Sequence, residues 1–79
     1  MTYTKGEREI LVVFGENVKR YYQQSNYKYL SRFAETVGLD TMRMKLIFNG
    51  EYQLGLKKAQ NIAAALNAKT IDLMEDWSE

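Results

Sequence analysis

The chain contains no cysteine, no histidine and no proline among its 79 residues. Without cysteine or histidine it has no disulfide staples, no thiolate or imidazole metal ligands and no nucleophile–histidine pair, so no metal or other cofactor is expected. The missing proline suits a mostly helical chain joined by short turns. Long hydrophobic runs are missing as well. No run exceeds the five residues of Ile10 to Phe14, far short of the roughly 18 apolar residues a membrane helix needs, and no membrane association is expected. Acidic Glu7 and Glu9 interrupt the basic N-terminal end and no small-residue cleavage site follows, which argues against a secretory leader. The lack of cysteine fits a cytoplasmic location. Net charge is also scarce at +1, which taken alone is a poor match to a polyanion.

Catalysis finds little to work with. Carboxylates, lysines and tyrosines would have to carry it. The closely spaced acids Asp72, Glu75 and Asp76 sit near the chain end rather than around a plausible pocket. A domain this small has no volume for a substrate cleft of several hundred Å³. Neither an enzymatic activity nor a small-molecule ligand is expected.

What is present, 46% hydrophobic and 27% charged residues, describes one small soluble domain with a single core. Residues 1–6 are polar and aperiodic. From about Glu7 to Ser25, Ile10, Phe14 and Val18 recur every four positions with Tyr21 or Tyr22 following, and Glu16, Asn17, Lys19 and Arg20 fall on the other side, the pattern of an amphipathic helix. A second helix, from about Tyr27 or Tyr29 to Val37, carries Leu30, Phe33, Ala34 and Val37 and stops at Gly38. Asp40 is a good N-cap for a third, Thr41 to about Phe48, closed by Asn49-Gly50. A fourth, Leu56 to Asn67, is expected to bury Leu56, Ala59, Ile62, Ala63 and Leu66. Thr70 is expected to cap a short last helix with Ile71, Leu73 and Met74 facing inward and Trp77 a candidate to join them. The tyrosines Tyr21, Tyr22, Tyr27 and Tyr29 are expected to pack half-buried at a helix junction rather than to stack on single-stranded bases.

The window Leu30 to Asn49 narrows the fold. Counting from Leu30, bulky apolar residues stand at places four, eight, ten, fifteen and eighteen (Phe33, Val37, Leu39, Met44 and Ile47), with a small residue at five (Ala34) and glycine at nine (Gly38). Two short helices that cross steeply need a small side chain where their backbones approach, and a tight turn between them needs positive φ. These are the requirements of a helix-turn-helix.

Other segments extend the pattern. Phe14-Gly15-Glu16-Asn17-Val18-Lys19-Arg20-Tyr21 resembles the first helix of the Xre family, the Cro/repressor-type helix-turn-helix regulators of bacteria and their phages. Ala34-Glu35-Thr36-Val37-Gly38-Leu39 looks like that family's second helix and turn, and Ile47-Phe48-Asn49-Gly50 its end to the third. Ile62-Ala63-Ala64-Ala65-Leu66-Asn67 is similar to its fourth helix, and Thr70-Ile71-Asp72-Leu73-Met74 to its last. The resemblance implies an all-α, five-helix, lambda-repressor-like DNA-binding domain over 9–79 behind a flexible N-terminal arm over 1–8.

By function it implies a small transcriptional regulator, most simply a repressor from a bacterium, phage or other mobile element. Such a protein binds double-stranded DNA as a homodimer on a palindromic operator, with the third helix in the major groove. Carried onto this chain, the base-reading positions would be Thr41, Met42 and Lys45, with Leu46 and Asn49 nearer the rim. Ser31, Arg32, Arg43, Tyr52, Lys57 and Lys58 would hold phosphates. No sensor or effector domain is expected at this length. The dimer surface is open between the last helix with Trp77 and the first helix with its lead-in.

Two departures from the family keep a second reading alive. Where the family's second helix commonly opens with Ser-Gln, this chain has Tyr29-Leu30, and its third helix presents Met42, Leu46 and Phe48. An apolar outer face suits thymine-methyl and shape readout, or a protein partner. The alternative is therefore a protein-interaction module on the same fold, such as an antirepressor, an inhibitor or an antitoxin-like partner. The distribution of charge no longer argues against DNA, though the surplus is modest and leaves the second reading open. Residues 1–69 hold eleven basic and six acidic groups, whereas 70–79 hold four acidic and no basic ones. The near-neutral total hides a basic body and an acidic terminus.

Overall fold

Apolar residues at three- and four-residue spacing fold into five α-helices: α1 (Ile10–Gln23), α2 (Leu30–Thr36), α3 (Thr41–Phe48), α4 (Leu56–Ala65) and α5 (Thr70–Met74). The computed structural model describes residues 9–75, and among these there is no strand. The expected arm over 1–8 and Trp77 lie outside the described residues. All five expected helices are present, with α1 beginning at Ile10 and α2 at Leu30, both later than the periodicity suggested.

Chain-end chemistry explains where helices stop. α2, α3 and α4 are each followed by a residue with positive φ: Gly38 at 74°, Gly50 at 74° and Asn67 at 57°. Around each, two backbone amides turn back onto carbonyls of the last turn, as in Leu39 N to Ala34 O at 2.8 Å and Gly38 N to Glu35 O at 3.0 Å. This closure satisfies carbonyls that a helix end otherwise leaves bare, and it requires a residue tolerant of the left-handed region. The starts are less uniform. Asp40 caps α3 by accepting from the Arg43 amide at 2.8 Å. Thr70 does not cap α5: Lys69 occupies the cap position, and its amide donates to the Asp72 carboxylate at 3.4 Å.

One core gathers all five helices: Phe14 and Val18 from α1, Phe33 and Ala34 from α2 with Val37 just after it, Met44 and Ile47 from α3, Ala59, Ile62 and Ala63 from α4, and Leu73 from α5. Three expectations fail at helix ends. Ile10, Leu56 and Ile71 are 53%, 74% and 69% exposed. Each lies in the first turn of its helix. Ile10 and Leu56, with Leu11, Phe14, Leu54 and Met74, line an open apolar groove of about 160 Å³.

Asn17 reverses its expected placement. It is only 2% exposed, with Nδ2 donating to the carbonyls of Leu73 and Glu75 at 2.8 Å each. α1 packs against both α3 and α5, so its buried stripe is wider than a one-sided amphipathic pattern allows. Gly15 is buried on the same helix, and a Cβ built there would overlap the carbonyl oxygen of Ile47. The α1 backbone thus rides directly on the last turn of α3.

The tyrosines divide. Tyr22 and Tyr27 pack on Phe33, each with ring centroids 5.2 Å apart, and Tyr21 lies against the core. Tyr29 instead is 67% exposed at the N-cap of α2.

Candidate nucleic-acid interface

The turn between α2 and α3 is built from both directions. Ala34 is fully buried and Gly38 adopts the left-handed conformation that reverses the chain. Leu39 then packs against the core, and Asp40 starts α3. Every position in Leu30–Asn49 singled out by pattern takes the role that the pattern implied.

On α3, Met44 and Ile47 are buried, which turns the opposite side of the helix outward. Met42, Lys45, Leu46 and Asn49 follow at intervals of three and four residues and therefore share one stripe. Met42, Lys45 and Asn49 are exposed, and Thr41 and Leu46 are half-buried. The five expected base-reading residues are thus brought together on and beside a single outward face. A long cation, an amide and a thioether side chain at these spacings offer hydrogen-bond donors and an apolar surface to a groove floor.

The apolar outer face is smaller than expected. Phe48 is half-buried, packs against the core and lies 6.0 Å from Tyr22, ring centroid to centroid. Six residues at 100° each carry it about 240° around the helix from Met42, onto the inner side. With Leu46 half-buried, Met42 at 74% exposure is the one prominent apolar residue of α3.

The residues expected to hold phosphates differ among themselves. Ser31 and Arg32 are exposed in the first turn of α2, and Lys57 is exposed in the first turn of α4. Tyr52 is half-buried and packed against the core, so only part of its ring is free. The Arg43 guanidinium is held by the Asp40 carboxylate at 2.9 Å. Lys58 is half-buried, and its Nζ donates to the Val37 carbonyl at 2.9 Å, across 21 residues of chain. That bond has no local signal, because the lysine and its acceptor belong to different elements.

Among the described residues, no helix is long and apolar enough to cross a membrane. No family model matches the chain, and no curated protein matches it. Several solved structures do. The hypothetical transcription factor NHTF from Neisseria superposes with a TM-score of 0.80 at 15% identity, covering 98% of this chain and 88% of its own. The SOS-response transcriptional repressor LexA from Eubacterium rectale gives 0.78 at 23% identity, over 92% and 77% of the two chains. The restriction-modification controller protein C.AhdI from Aeromonas hydrophila gives 0.71 at 22% identity, over 80% and 90%. The five-helix architecture described above is thus the fold that these three solved proteins share.

Proposed function

We infer that the chain is a transcriptional regulator that binds double-stranded DNA in a sequence-specific manner and places α3 in the major groove. The observation that carries this reading is the outward stripe of Met42, Lys45, Leu46 and Asn49, with Thr41 beside it, on the second helix of a helix-turn-helix. Lysine reaches guanine O6 and N7, and threonine or methionine packs on a thymine methyl. On this reading Ser31, Arg32, Arg43, Tyr52 and Lys57 would serve as phosphate partners. The segment from Lys28 to Lys58 holds six basic and three acidic residues, and Asp40 among the acids is already engaged as a cap. The named activities of the structural neighbours, a transcription factor, a repressor and a controller protein, point the same way. The alternative of a protein partner drew on the apolar Met42, Leu46 and Phe48 face and on Tyr29-Leu30 at the start of α2, and the first of these supports weakens with Phe48 turned inward.

One reading helix buries a modest interface, so useful affinity calls for two copies on one duplex. A homodimer on a palindrome would set its half-sites about 34 Å apart, one turn of DNA. Selection of bound duplexes from a random pool at two salt concentrations tests the reading. Enrichment of a palindrome supports it. Weak retention without sequence preference at both salts rejects it.

A further inference from the structure

Lys57 and Lys58 are adjacent in sequence and differently used. Lys57 is exposed, whereas Lys58 is half-buried with its ammonium 2.9 Å from the Val37 carbonyl oxygen. Val37 is the C-cap of α2. Its neighbours in the last turn, Ala34 and Glu35, already accept from the amides of Leu39 and Gly38. The Val37 carbonyl points beyond that closure and takes its donor from α4. A cation there also opposes the partial negative charge at the end of α2. The ammonium sits so close over the turn that a Cβ on Gly38 would come within 3.2 Å of it.

We propose that Lys58 is a positioning residue for α3 and not a phosphate contact. It reaches from α4 to the turn that sets the angle between α2 and α3, and so holds the reading helix in its pose. The proposal rests on the DNA-binding reading for its consequence, but the clamp itself exists in the free protein.

Both are tested with the full chain carrying Lys57→Ala, Lys58→Met or Lys58→Arg. Lys58→Met keeps the aliphatic stem and removes the donor, and Lys58→Arg keeps a donor. Binding to the selected duplex and to a random duplex is measured across salt, and amide hydrogen exchange at residues 37–39 is followed without DNA. Lys57→Ala should lower the salt slope by about 0.9, the release expected for one phosphate contact. Lys58→Met should leave that slope unchanged, weaken the selected duplex by about tenfold and the random one far less, and speed exchange at the turn. Lys58→Arg should restore turn protection and most of the affinity. A flattened slope for Lys58→Met, or exchange and affinity equal to the parent, overturns the proposal. If no duplex is selected at all, the DNA reading fails, while faster exchange at 37–39 still supports the clamp and unchanged exchange overturns it.

Discussion

The Asn17 side-chain amide donates to the carbonyl oxygen of Leu73 at 2.8 Å, joining residues 56 apart in the chain. A second bond of the same length reaches Glu75. The five-residue α5 is too short to hold itself together in water. Asn17 donates to Leu73 within it and to Glu75 just after it, and so pins α5 to α1.

Replacing Asn17 by alanine therefore removes both of these bonds and opens a small cavity. The expected loss is about 2–4 kcal/mol, a large share of the stability of so small a domain. Leucine fills the space without supplying a donor and should not restore it. Thermal and urea unfolding of the two variants distinguish the contributions, and parent-like stability of Asn17→Leu would show that volume alone matters.

Gly15 offers a prediction whose sign is informative. In an exposed helix, glycine to alanine stabilises by about 1 kcal/mol. Here the new Cβ would overlap the Ile47 carbonyl and crowd the Phe48 carbonyl, neither of which can rotate away. Gly15→Ala should destabilise by about 1–3 kcal/mol, read as a lower urea midpoint. A higher midpoint would mean that α1 and α3 do not approach as described.

Asp40 has two bonds to separate: its carboxylate caps α3 and also holds Arg43. The exposed ion pair contributes little to stability, whereas the cap contributes about 1 kcal/mol. Asp40→Ala should lose that amount. Asp40→Asn should keep it, since an amide oxygen also accepts from the Arg43 amide. By removing a negative charge and freeing Arg43, Asp40→Asn should also bind DNA several-fold more tightly at low salt. Equal destabilisation by both variants would place the energy in the ion pair.

Lys45 and Lys57 separate base reading from phosphate holding. Lys45→Ala should relax the preferred base at its position, at a cost of about 1–3 kcal/mol in discrimination. Lys57→Ala should weaken all duplexes alike. Comparing selected and single-mismatch sites by anisotropy titration checks the division, which fails if Lys57→Ala changes the preferred base.

Much of this architecture was legible locally. Helix spacing marked Phe33, Val37, Met44 and Ile47 as core, and all four are buried. Gly38 and Asp40 marked the turn, since positive φ and N-capping are properties of single residues and their near neighbours. The outward stripe of α3 followed from the same arithmetic, because burying Met44 and Ile47 leaves only one direction for Lys45 and Asn49.

Other features depended on residues far apart in the chain. Asn17 is polar and looked solvated until α5 crossed it. Leu56 and Ile71 fit the apolar spacing of their helices, yet both are exposed. That Phe48 lies off the Met42 stripe follows already from 100° per residue and only its partner Tyr22 is non-local, whereas Lys57 and Lys58 were indistinguishable until the Val37 carbonyl met one of them. Periodicity gives the direction a side chain takes from its own axis, and that sufficed for the helices and the stripe. Whether anything lies in that direction depends on how the axes cross, and Gly15 beneath the Ile47 carbonyl is where α1 and α3 meet.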